Sequence, residues 1–233
     1  MKIRIKFSKT GPVKFIGHLD MMRYFQKAIR RAGIDVTYSG GYSPHQVMSF
    51  AAPLGVGLES QGEYFDLELN SFTTCDEIKT RLNSAMAEGI QILSVRILPE
   101  TAGNAMASVA AAAYEVRFRE ADLPRFDWKP KLVEFLNQQE IMVMKKTKKS
   151  MKELDLKPFI FSFEIKEDVI FFLVDASSAG NIKPSLILQA FMEQNQQSLS
   201  EFALLVTRME TYGYRDDKEQ RELIPLEEIG YLA

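Results

Sequence analysis

Residues Lys2–Ser8 alternate Lys or Arg with Ile3, Ile5 and Phe7, the two-residue period of a half-buried strand. From His18 the period lengthens. Leu19, Met22, Phe25 and Ile29 recur at helical spacing, while Asp20, Arg23, Lys27 and Arg30 form the opposite stripe. Gly33 marks the end of this helix, where a left-handed residue is favoured. An extended stretch, Ile34–Tyr38, enters a Gly/Pro-rich loop, Gly40–His45, and then the apolar run Val47–Leu54. Glu63–Leu69 alternates again as a strand. Thr74 with Glu77 three residues later predicts a capped helix carrying Ile78, Leu82, Ala85 and Met86 on one face and stopping at Gly89. Ile90–Leu98 reads as the closing strand. The order β-α-β-β-α-β is that of a ferredoxin-like unit.

The second half repeats the order. After the Ala-rich connector Pro99–Ala113, with a short helix predicted over Ala105–Ala113, come a strand at Tyr114–Arg119 and a helix at Lys131–Gln138. Strands at Ile141–Lys145, Phe159–Ile165 and Asp168–Val174, a helix from Pro184 and a strand at Phe202–Met209 complete it, around an additional lysine-rich arm. The expected fold is α+β: two ferredoxin-like (βαββαβ) units with antiparallel sheets, residues 1–100 and 111–212, then an acidic tail, 213–233.

Composition narrows the class. With 46% hydrophobic and 26% charged positions among 233, the chain has the makings of a packed core, and a disordered or fibrous protein is excluded. The single cysteine, Cys75, excludes an intramolecular disulfide and any iron–sulfur cluster held by this chain alone. No stretch approaches the roughly 20 apolar residues of a membrane span. The expectation is a cytoplasmic protein without membrane contact and without a cofactor of its own. Cys75, in the first turn of a capped helix with no histidine nearby in sequence, reads as an inert buried thiol.

Charge changes the picture more. The total is −2, yet residues 1–31 hold nine basic groups against Asp20 alone, and Lys145–Lys157 holds six lysines against Glu153 and Asp155. Glu210–Ala233 carries seven acids against three bases. A near-neutral total therefore conceals basic patches suited to phosphates. On the first helix Arg23, Lys27 and Arg30 project together, with Arg31 and Tyr24 beside them. A like-charged stripe weakens an isolated helix, so it points to a polyanionic partner. Lys9, Arg23, Lys27, Arg30, Arg31, Lys145, Lys146, Lys148 and Lys149 are the candidate RNA contacts. No strand carries the aromatic signature of an RNA-recognition motif. Gly40-Gly41 and Gly55-Val56-Gly57 match no phosphate-binding loop, and they read as turns.

The two histidines, His18 and His45, both lie at junctions of loop and element. Should the Gly40–Met48 segment cross the start of helix one, His18, Asp20 and His45 would form one site. It could bind a divalent metal weakly or supply acid–base groups near neutral pH. Otherwise each histidine serves its own loop.

The run from Phe7 to Leu69 resembles the bacterial radical SAM-linked domain family of unknown function, found alone or fused C-terminal to cobalamin-binding radical SAM proteins. The matching motifs are the Lys9–Gly11 turn, Phe15–Asp20, Arg30–Gly33, Tyr38–His45 and Pro53–Tyr64; Asp155-Leu156-Lys157-Pro158 is similar more loosely. The resemblance implies a radical SAM protein as partner and a role in tRNA or rRNA processing or modification. The chain has no C-x-x-x-C-x-x-C motif, so radical chemistry would belong to that partner. His18, Asp20 and His45 occupy motif positions. Three functions compete: an RNA-binding accessory protein, a metal-independent ribonuclease or RNA-modifying enzyme using His18 or His45, and a protein–protein adaptor without RNA binding.

Overall fold

The computed structural model describes residues 1–146, 151–216 and 221–232, with backbone alone at 145, 146, 151, 152 and 216. The order is β1 (Lys2–Lys9), α1 (His18–Arg31), β2 (Met48–Phe50), β3 (Glu59–Glu68), α2 (Cys75–Ser84), β4 (Ile90–Ile97), α3 (Ala105–Ser108) and β5 (Ala111–Phe118). It continues with α4 (Trp128–Leu136), β6 (Met142–Lys146), β7 (Met151–Asp155), β8 (Ile160–Lys166), β9 (Val169–Asp175), α5 (Pro184–Gln194), β10 (Leu204–Asp216) and β11 (Arg221–Pro225). The protein is α+β, and its strand pairing is mostly antiparallel. It divides into two compact units, Met1–Ala111 with Thr207–Ala233, and Ala112–Val206.

In the first unit β1 lies between β3 and β4, antiparallel to both, and β2 pairs antiparallel with the far edge of β3. The start of β3 also pairs with β10 in parallel, Thr207 opposite Glu59. Gly62 makes that approach possible: a Cβ there would meet the Glu210 Cα at 2.6 Å. The core is built by Ile3, Ile5 and Phe7 of β1, Phe65 and Leu67 of β3, Ile92 of β4, and the inner faces of α1 and α2. On α1 that face is Met21, Phe25, Ala28 and Ile29, whereas Leu19, expected inside, is 68% exposed. The helix begins at His18, so Leu19 lies in its first turn, outside the buried stripe.

The two helices terminate one another. Arg81 of α2 donates to the Ala32 carbonyl at 3.0 Å and to the Gly33 carbonyl, and Arg31 of α1 donates to Ala85, the C-cap of α2, at 2.9 Å. Each guanidinium thus satisfies carbonyls that a helix end leaves without partners.

In the second unit β8 and β9 form an antiparallel pair, with β5 beside β9. Leu132, Phe135 and Leu136 of α4 and Ile187, Leu188 and Phe191 of α5 are buried, and the Phe135 and Phe191 rings meet at 5.6 Å. The lysine-rich arm is a hairpin of its own, β6 with β7, Met142 opposite Asp155. Lys148 and Lys149, which fall between β6 and β7 in sequence, lie outside the described residues.

Two segments depart from the expected pattern. The helix predicted over Ala105–Ala113 is one turn, capped by Asn104, and from Ala111 the chain is a strand with Ala111 and Ala112 fully buried. Alanine's helix preference yields there to tertiary packing. Residues 213–233 were expected as a separate tail, but β10 runs on to Asp216, β11 pairs with it, and Ile224 and Leu226 enter the first unit's interior. The boundary accordingly falls at 206/207.

Candidate functional site

The N-terminal run of cations resolves into two populations. Arg4 is fully buried, its guanidinium paired with both Asp66 oxygens at 2.8 and 3.0 Å and donating to the Leu226 carbonyl at 3.2 Å. Lys6 holds Glu210 at 2.5 Å and Glu227 at 2.8 Å. Burial, which would lower the Lys6 pKa, is outweighed by the hydrogen bonds the ammonium donates to these two carboxylates and by their charge, and the ammonium is held above its ordinary value. Lys14 pairs with Glu59 at 3.0 Å. These cations are neutralised within the first unit, and the acids of the C-terminal segment are the means for Lys6.

The second population is the outward face of α1. Arg23, Lys27, Arg30 and Arg31 are all exposed. Arg23 shares its charge with Asp20 at 3.1 Å, a pair so exposed that its strength is slight. Arg30 donates to the Gln26 carbonyl at 3.4 Å and Arg31 to Ala85, and among the described residues neither pairs with a carboxylate. Lys27 has no hydrogen bond or ion pair among the described residues. The stripe read from the sequence therefore stands as one solvent-facing cationic face. Lys9 does not belong to it. It is 3% exposed, its ammonium donates to the Ile16 carbonyl at 2.7 Å, and burial lowers its pKa against the pull of Glu63. The side chains of Lys145 and Lys146 are not described.

His18 opens α1 beside this buried lysine. Its ring and that of Phe50 are perpendicular, their centroids 5.3 Å apart. Burial holds its pKa below the ordinary value; Glu63 opposes this and Lys9 reinforces it. The imidazole is thus neutral at pH 7. Glu63 in turn is paired with Arg208 at 2.9 Å, both side chains 7% exposed, and Arg208 donates to the Ala52 carbonyl. Lys9, Glu63 and Arg208, all buried, form a polar corner with the half-buried His18; sequence reading singled out Lys9 and His18 and missed Glu63 and Arg208. For Glu63 the signal was its place in the Pro53–Tyr64 motif; Arg208 lies 145 residues further on.

His45 has different partners. Its Nδ1 lies 2.9 Å from the Ser39 hydroxyl, which also accepts from the His45 backbone N–H at 3.1 Å. Among the described residues no group of three or more His, Cys, Asp or Glu side chains is placed to hold a metal ion, so His18, Asp20 and His45 are not assembled as a three-ligand centre. Cys75 is buried, and no helix of the described residues is long and apolar enough to cross a membrane.

These features define an α+β protein with a cationic helix face and a polar corner of Lys9, His18, Glu63 and Arg208. The model of a family described as uncharacterized protein conserved in bacteria (DUF2344) matches residues 2–184, and the chain belongs to that family. No curated protein matches the chain. Among solved structures, one chain of a crystal structure of a Cbf5-Nop10-Gar1 complex is similar at a TM-score of 0.47 and 12% identity, covering 90% of this chain and 48% of that one. This chain spans about half the length of that neighbour.

Proposed function

We propose that this chain is an RNA-binding accessory protein to a radical SAM enzyme, acting in tRNA or rRNA processing or modification. The observation that carries the reading is the outward face of α1, where Arg23, Lys27 and Arg30 face solvent together and Lys27 has no partner among the described residues. Most other N-terminal cations are consumed inside the fold, so three left together on one helix face need another explanation than solubility. The strand order β4-β1-β3-β2, antiparallel throughout, supports a ferredoxin-like reading of the first unit, and such sheets are frequent RNA platforms. The radical SAM partner rests on the motif resemblance.

Three phosphate contacts give a slope of log K against log salt of roughly −2 to −3. Fluorescence anisotropy with tRNA and rRNA fragments between 50 and 200 mM salt, conditions chosen from that dependence, is expected to give that slope. Arg23→Ala with Lys27→Ala is expected to flatten it by about two. Salt-insensitive binding, or no binding, counts against the reading. The polar corner favours a second reading, a metal-independent ribonuclease or RNA-modifying enzyme in which neutral His18 acts as base beside Lys9. RNA turnover unchanged by His18→Ala would eliminate it.

A further inference from the structure

The loop between Tyr38 and Gln46 is closed at its base and seated on α1. Tyr38 and Gln46 form a bridge, Ser39 N–H donates to the His45 carbonyl at 2.8 Å, and Val47 N–H donates to Thr37 at 2.9 Å. Gln46, 4% exposed, sends its Nε2 to the Gln26 carbonyl of α1 at 3.2 Å. That same carbonyl accepts from Arg30. The foot of the loop and the cationic stripe therefore meet at one backbone atom. At the tip, Tyr42 is fully exposed, and Tyr38 at the base is 49% exposed. A tyrosine loses two side-chain torsions on ordering, and its ring carries a large apolar face. Here that face is presented to solvent by a short closed loop beside cations of α1 that pair with no carboxylate among the described residues.

We propose that this loop is a base-stacking platform for single-stranded RNA, with the phosphates following Lys27 and Arg30 along α1 and a base laid on Tyr42. The inference rests on the RNA-binding reading above and adds the strandedness of the ligand. Charge complementarity selects the polyanion. The aromatic face selects the unpaired strand, because bases in a duplex are already stacked on each other and offer no free face. Sequence preference is weak, since every base has a π-face.

The test uses the full chain and a fluorescein-labelled twelve-nucleotide RNA of mixed sequence, single-stranded and as its duplex, by anisotropy. Tyr42→Ala is expected to weaken single-strand binding about ten-fold or more while leaving the salt slope and the duplex affinity unchanged. Tyr42→Trp is expected to retain single-strand binding, and Lys27→Ala to weaken both ligands and reduce the salt slope by about one. Circular dichroism confirms that the variants fold, as substitution of a solvent-facing ring should allow. If Tyr42→Ala binds the single strand like wild type while Lys27→Ala does not, the platform is overturned and the RNA reading stands. If wild type binds neither ligand at low salt, the RNA reading falls and the platform with it.

Discussion

Arg4 and Lys6 alternate with Ile3, Ile5 and Phe7 and so look, in the sequence, like the wet side of a two-faced strand. They are the opposite. The second face of β1 is covered as well, and its cations are kept charged by acids brought from far along the chain. Glu227 is the clearest case. Burial would raise its pKa, but the hydrogen bond from Lys6 and the charges of Lys6 and Arg96 hold it below the ordinary carboxylate value. A carboxylate whose folded pKa is depressed stabilises the fold above its unfolded pKa, and that contribution disappears as pH falls through the folded value. Glu227→Gln is expected to cost about 1.5 kcal/mol at pH 7, the scale of a charge-assisted hydrogen bond. The difference from wild type should shrink below about pH 4.3, the unperturbed glutamate value. Urea unfolding across pH measures both. Lys9 teaches the same lesson: charge type was legible, whereas burial depended on Glu63, Ile16 and neighbours that no local pattern names.

At the scale of elements, local signals succeeded where the chemistry was local. Thr74 caps α2 as its spacing indicated, its hydroxyl accepting from the Glu77 N–H at 3.1 Å, while Glu77 itself turns to Arg81. Thr74→Ala is expected to cost about 1 kcal/mol and Thr74→Ser to cost little, read from urea midpoints. Gly33, at φ +63°, ends α1 as anticipated. The α1 cationic stripe was legible for the same reason, because helical spacing alone places Arg23, Lys27 and Arg30 together. The mutual capping by Arg31 and Arg81 was not, since it joins residues about fifty positions apart. Nor was the strand at Ala111–Ala112. A run of alanines carries a helix preference and no period, and only packing against its neighbours decides the outcome.

For the whole molecule, the unexpected element is the return of residues 207–232 to the first unit. Leu226 is fully buried and its carbonyl accepts from Arg4. Leu226→Ala is expected to destabilise the protein by about 2–5 kcal/mol, the range for a buried leucine, as measured by the urea midpoint at constant m-value. An acidic, near-terminal stretch reads as solvated when only its composition is considered, and the apolar pair Ile224 and Leu226 is too short a signal to say otherwise. The consequence concerns synthesis. Arg4 is synthesised 222 residues before the Leu226 carbonyl that accepts from it. At ordinary elongation rates that interval is roughly 10–45 s. From the synthesis of Asp66 onward the guanidinium has its carboxylate but lacks the segment that covers it. The first unit is thus begun before the second and finished after it, and its interior stays unsealed while Ala112–Val206 is made.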